Sequence, residues 1–370
     1  MTRRAAAWAF ALALMFSARP IQAQRVAVEA LVDGELYRTD DSSRLLARNH
    51  GEPAHTLRAQ LWGVLEPAAG IQLRILGRAE NSGGLSPVYA LDQLSLRFAR
   101  SRAFTLELGK LLLPVGAFGA RRFSNVNPLI GIPDVYASEY PLGVEVSGAV
   151  GAMDYKAAIV SLPAVNAEYT TEPSARARPV VGLGWSAGPA FRLGATYTAG
   201  SYLSDASQPA VPKGASWDQF GQRVFALDAH WSTGYLDTHA EAIWSTYEVP
   251  TISGVIGGTG WYGESRYTLS PRWFVAGRYE FYNYPFVMPL TIPIPSQAPR
   301  YLWIGRAVTQ MNGEAGVGYR ATESLLFKAS ARKDHWPVHE TPDGTRFPDG
   351  YALALQLSWH ASISEMLMRP

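Results

Sequence analysis

Four residues capable of acid–base chemistry crowd one short stretch of this chain: Asp228, His230, Asp237 and His239. They flank Thr233 and Gly234, a pair that reads as a hairpin turn. A register centred there sets His230 across from Asp237 and Asp228 across from His239. A histidine held by a carboxylate is half of a nucleophilic catalytic arrangement. The spacing places no serine beside the pair, and the chain has no cysteine. Salt bridging is therefore the expectation, and Glu264 with Arg278 on the following hairpin reads the same way. His335 and His339 are four apart, a metal-binding spacing on a helix, but Pro337 between them disfavours one. The glycines near 254–260 lack the lysine of a phosphate loop. No catalytic residue, metal site or cofactor is expected.

The elements that must position these residues follow a period of two. Val26, Val28, Ala30, Val32, Gly34 and Leu36 alternate with positions carrying Glu29, Asp33 and Glu35. Leu57, Ala59, Leu61, Gly63 and Leu65 alternate with Arg58, Gln60 and Glu66, and Tyr351, Leu353, Leu355, Leu357 and Trp359 close the pattern. Helical stripes do not fit these segments; strands do. About sixteen strands are read this way, roughly 25–37, 55–66, 71–81, 89–99, 103–111, 143–150, 154–162, 179–187, 190–200, 222–232, 236–247, 258–269, 272–284, 308–320, 325–334 and 350–361. Short connections such as 67–70, 101–102, 188–189, 233–234 and 270–271 alternate with long ones near 38–54, 112–142, 163–178, 201–221, 285–307 and 335–349. Tight turns on one side and long loops on the other characterise outer-membrane barrels.

The N-terminus agrees. Arg3 and Arg4 precede an apolar run from Ala5 to Phe16, and a small residue follows at Ala23, the order of a secretory signal peptide over 1–23. Its removal takes Arg3, Arg4 and Arg19 with it and moves the formal net charge from +2 to −1. Without a basic run, no nucleic-acid partner is expected. No later stretch is apolar for 18 residues, so a membrane-embedded chain must be a closed barrel.

Aromatic placement decides which face meets lipid. Phe98, Phe104, Trp185, Phe191, Trp231, Tyr267, Trp273, Tyr319, Phe327 and Trp359 sit beside the short turns, with Tyr37, Tyr197, Trp244, Trp261, Phe281 and Tyr351 at the far ends. Two such belts are what lipid interfaces favour. The opposite face carries some two dozen charges, including Arg74, Arg78, Arg97, Glu107, Lys328 and Glu314, which a wet lumen accepts and a dry core does not. The fold class is thus an all-β, transmembrane antiparallel β-barrel over 24–370, exported to the outer membrane and surrounded by its lipid.

The third long connection, 112–142, is apolar and aromatic enough to pack. It is expected to fold into the lumen and narrow it, offering Arg121, Arg122, Asp134 and Glu139 to small hydrophilic solutes alongside Arg74, Arg78, Arg97 and Glu107 on the wall. An external cap is the other arrangement this loop allows. The function expected is passive diffusion through a water-filled barrel. A barrel enzyme of lipase or protease type and a plugged structural or adhesive barrel are the alternatives.

The run Glu107, Leu108, Gly109, Lys110, then Pro114, Val115, Gly116, then Tyr140 through Gly148 resembles outer-membrane porins, especially the phosphate-selective porin O/P group. That resemblance implies sixteen strands, a homotrimer and passage of small anions or polar solutes. The chain departs from the group in its lysines. Only Lys110, Lys156, Lys213, Lys328 and Lys333 are present, too few for a lysine-lined phosphate ladder. Many such porins also end on an aromatic residue, whereas Trp359, the nearest candidate here, is followed by residues 360–370.

Overall fold

The computed structural model describes residues 25–40, 51–82, 86–134, 140–161, 176–292, 300–337 and 349–362, with backbone alone at 206 and 284–308. Residues 1–23, where a signal peptide is expected, lie outside the described residues. Sixteen strands follow in order. They are β1 (Arg25–Thr39), β2 (Ala54–Ala68), β3 (Ile71–Ser82), β4 (Val88–Ser101), β5 (Phe104–Lys110), β6 (Leu142–Val150), β7 (Met153–Val160) and β8 (Arg178–Ser186). The second half holds β9 (Phe191–Ser201), β10 (Gly221–Thr233), β11 (Leu236–Glu248), β12 (Val255–Thr268), β13 (Trp273–Ile292), β14 (Arg300–Arg320), β15 (Leu325–His335) and β16 (Gly350–Ser362). Each pairs antiparallel with its chain neighbours, and β1 pairs with β16, so the barrel wall closes on itself.

Closure answers the backbone problem that hydrocarbon poses, and the side chains complete the answer. Leu36, Leu57, Leu61, Val181, Leu183, Leu353 and Leu355 project outward and are exposed. Trp185, Trp231, Trp273, Phe327 and Trp359 ring the short-turn end of that same face. Tyr37 does not join the outer belt. It shares strand parity with Glu35 and Thr39, lines the interior with them, and sits opposite Ala54 of the inner face.

The observed register corrects two more expectations. Residues 285–307 are not an irregular connection throughout, because β13 and β14 stay paired from Pro285 with Ala307 out to Ile292 with Arg300. Pro285 and Pro289 are tolerated because β12 stops pairing with β13 at Asn283, so no ladder on that side needs their amides. The hairpin of β10 and β11 turns on Gly234 and Tyr235, with Gly234 at φ 54°, so Thr233 faces Leu236 and His230 faces His239. The register differs by two from one centred on Thr233 and Gly234, an even shift that preserves faces and exchanges partners.

Strand β5 is short for a reason visible in its last residues. Gly109 adopts φ 122°, and a Cβ there would stand 2.4 Å from the Leu94 carbonyl oxygen on β4. Pro114 then offers no N–H, and the chain turns inward. Gly109→Ala is expected to lower stability by about 1–3 kcal/mol, read as a lower midpoint in urea unfolding of the folded barrel. An unchanged midpoint would refute the close-approach argument.

Candidate functional site: the lumen loop and its wall

The connection from β5 to β6, residues 111–141 (L3), leaves the wall where the Leu111 amide donates to the Pro141 carbonyl at 3.0 Å, and then crosses the lumen. A 3-10 turn at Phe118–Arg121 lies at its first bend. Its first part is apolar. Leu111, Leu113, Val115 and Phe118 pack with inward-facing Ala158, Val160, Val180, Val224, Ala226 and Ile243. The connection 202–220 packs into the same cluster through Tyr202, Leu203 and Ala210, and Tyr202 meets Tyr247 edge-on at 5.3 Å. One side of the interior, from β7 to β12, therefore holds an apolar core.

From Ala117 onward the loop repeatedly meets charged wall residues. The Ala117 amide donates to Glu241 Oε2 at 2.9 Å, and the Arg121 guanidinium reaches Glu264 at 2.5 Å. Arg122 approaches Asp92 at 3.4 Å and lies over the rings of Phe123 and Tyr140, 5.3 and 4.8 Å from their centroids. Burial pushes the Tyr140 hydroxyl above its ordinary range, while Arg122 pulls it the other way. Phe123 packs edge-on against Trp62 of β2 at 4.8 Å, and Ser124 Oγ donates to Asp33 of β1. The Gly131 amide donates to Glu314 at 3.0 Å, and the Asp134 amide to Glu280 at 2.9 Å. The Asp134 carboxylate accepts from Arg332 and from Asn312.

Two basic side chains organise this seam. Lys328 of β15 is buried and donates to three L3 carbonyls: Ser124 at 2.9 Å, Asn127 at 3.0 Å and Leu129 at 3.0 Å. An ammonium carries three donors on one atom, so these three bonds saturate it. Arg278 of β13 is fully buried among Glu264, Glu280 and Glu314, at 3.2, 2.7 and 2.7 Å. Those three carboxylates also accept the L3 donors, so Arg278 fixes the acceptors that fix the loop.

On the facing wall, Arg78 bonds Asp92 at 2.9 Å and Glu80 at 3.1 Å, and Arg74 reaches Glu107 at 3.5 Å. Glu107 accepts from Ser95 and Gln93, and Arg97 stands opposite it in the ladder. L3 thus carries Arg121, Arg122 and Asp134 into the lumen, while Glu139 lies outside the described residues, as does His339. Arg74, Arg97 and Glu107 form a separate patch on β3 to β5. A cavity of about 350 Å³ remains between L3 and the wall of β1, β2, β3, β14, β15 and β16. Its lining includes Arg58, Arg122 and Arg332 against Glu35, Glu80 and Glu314.

Sequence reasoning missed Lys328 and Arg278 as anchors, and it missed that the 202–220 segment packs inward. A signal was available. Val160, Val180, Val224 and Ile243 occupy lumen-facing positions yet are apolar, and neighbouring apolar positions on an inner face need something to cover them. The two histidines of β10 and β11 also meet differently from the expectation. His230 does contact Asp237, at 2.7 Å, but Asp228 pairs with Arg192 instead of His239. Glu264 and Arg278 face each other as the sequence suggests.

No family model matches the sequence, and no curated protein matches it either. Among solved structures, an anion-selective porin from Comamonas acidovorans aligns over 92% of this chain and 100% of that chain, with TM-score 0.60 and 10% identity. OmpT, an outer membrane protein of Vibrio cholerae, aligns in its trimer form over 92% of this chain and 100% of that one, with TM-score 0.56 and 11% identity. Likeness at such low identity shows a shared fold: the chain has the closed sixteen-strand architecture of outer-membrane barrels.

Proposed function

We propose that this chain is an outer-membrane diffusion channel for small hydrophilic solutes, with an off-axis conduit between L3 and the β1–β3 and β14–β16 wall. The observation that carries this reading is the charged cavity itself, lined by both signs while the opposite side of the lumen is filled with apolar side chains. Even ion-paired, as Arg58 is with Glu80, charged groups lining a gap cost stability unless water occupies it. Arg122, Asp134 and the neighbouring wall arginines are the residues assigned to contact the solute. Passage is passive, without catalysis or cofactor. With Arg58, Arg122 and Arg332 offsetting Glu35, Glu80 and Glu314, strong ion preference is not expected, and the phosphate specificity of the porin O/P group is not carried over.

The assembly proposed is a homotrimer in outer-membrane lipid, supported by likeness to a barrel solved in trimer form. Planar-bilayer recording tests the channel. Stepwise conductance with a reversal potential near zero in a salt gradient is the expected result, and a strongly shifted reversal potential would remove the balanced-charge argument. A silent barrel would favour the second reading, a plugged structural barrel, which the packing of both L3 and 202–220 into the interior supports.

A further inference from the structure

On the short-turn side of L3, His230, Asp237 and His239 converge on adjacent strands. The two-residue change in register noted above is what brings the histidines together. They are paired directly in the ladder, and their rings stack 4.3 Å apart at 11°. Stacking turns both Nε2 atoms to the same side, where they meet one carboxylate. His230 Nε2 lies 2.7 Å from Asp237 Oδ1, and His239 Nε2 lies 3.4 Å from Oδ2. One ligand atom from each of the three residues falls within 4.8 Å of the others, the one such group among the described residues. The channel reading uses none of them.

We propose that this cluster binds one late first-row divalent cation, of the zinc, copper or nickel class. Two imidazole nitrogens and one carboxylate oxygen are the donor set those ions favour, whereas calcium and magnesium prefer oxygen alone. An imidazole nitrogen ligates a cation only when it carries no proton, so metal binding here is coupled to proton release. Bonds near 2.0–2.1 Å bring tetrahedral ligand atoms to about 3.3 Å apart, and those of His230, Asp237 and His239 already lie within 4.8 Å of one another. His230, His239 and Asp237 are only partly buried, at 34%, 15% and 26% side-chain exposure, so solvent reaches the site and completes the coordination. The adjacent charges are disposed around it unequally. Arg192, opposite His230, is already held by Asp154 and Asp228. Glu264, opposite His239, is held by Arg121 and Arg278. Two cations oppose a bound metal: Arg121 of L3, whose charge acts on His239, and Arg266, whose guanidinium stands 3.7 Å from Asp237 Oδ2 and competes for that oxygen.

The test uses the full, tag-free barrel folded in detergent micelles, titrated calorimetrically with zinc chloride, with copper(II) as a spectroscopic probe. The expected result is one zinc equivalent, weakened in His230→Gln and in His239→Gln by at least the roughly 10–100-fold that loss of an outer-shell partner already brings, and a copper paramagnetic-resonance spectrum split by two nitrogens. Arg266→Gln is expected to tighten zinc binding, which a purely structural ion-pair cluster would not do. Zinc affinity unchanged in both histidine variants, or a copper signal without two nitrogens, overturns the proposal. Because these readouts do not depend on conductance, a silent barrel that still binds zinc would sink the channel reading and leave this site standing.

Discussion

Arg278→Met is expected to destabilise the folded barrel by about 3–5 kcal/mol, among the largest losses of any single substitution in the lumen. The guanidinium is fully buried, and its three partners Glu264, Glu280 and Glu314 are nearly so. Removing it leaves three carboxylates close together with no countercharge at their centre, and like charges at that separation oppose one another strongly in a medium of low dielectric. The loop donors Arg121, the Gly131 amide and the Asp134 amide each remain on one of those carboxylates, so the strain passes to L3 as well. Urea unfolding of the barrel in micelles reads the loss. A quadruple variant that also carries Glu264→Gln, Glu280→Gln and Glu314→Gln should recover most of it, because the neutral amides have no mutual repulsion. A change below about 1 kcal/mol in Arg278→Met, within the range of an ordinary surface pair, would show that the cluster is wetter than its geometry indicates.

Excising residues 118–138 is expected to raise single-channel conductance roughly two- to threefold, as pore width and its lining control passage through a wet constriction. The excision removes the segment that carries Arg121, Arg122 and Asp134 and ends every contact with Lys328. It leaves Leu111 to Val115 in place, so the apolar core on the β7–β12 side is largely kept. Unchanged conductance would mean that the passage runs elsewhere or that the 202–220 segment limits it. Lys328→Met is the milder companion: its three carbonyls lose their donor, and open-channel noise should increase even where mean conductance moves little.

Much of this architecture was legible because period-two alternation is a local signal. Each strand announces its two faces within its own length, and the Gly- and Pro-bearing turns mark where it ends. Leu353, Leu355 and Leu357 need no knowledge of their neighbours to be assigned outward. The entry of 112–142 into the lumen was legible for a similar reason, since Leu111, Leu113, Phe118 and Phe123 are too apolar for a solvated loop. What was not legible depends on partners far away in sequence. Lys328 reads as one more wall charge until L3 carbonyls are placed against it, and Arg278 reads as the partner of Glu264 alone until β14 supplies Glu314. Register is the intermediate case. Whether the tight turn holds Thr233 and Gly234 or Gly234 and Tyr235 hardly alters the sequence pattern, yet it decides whether His230 stacks on His239. The extended pairing of β13 with β14 was hidden by Pro285 and Pro289, which ordinarily end a strand and here sit where no neighbour needs their amides.

The distance along the chain between L3 and its fastenings has a temporal meaning. Ser124, Asn127 and Leu129 wait for a lysine about 200 positions downstream, and Gly131 for a glutamate 183 positions downstream. Such remote pairings form late, after the loop-closure entropy of the whole intervening chain has been met. A half-built barrel therefore holds an untethered segment in an unsealed interior, and the cavity between L3 and the wall takes its shape only when β13, β14 and β15 arrive. Gauge and completeness are linked: no partly assembled form of this chain has the bore of the finished one.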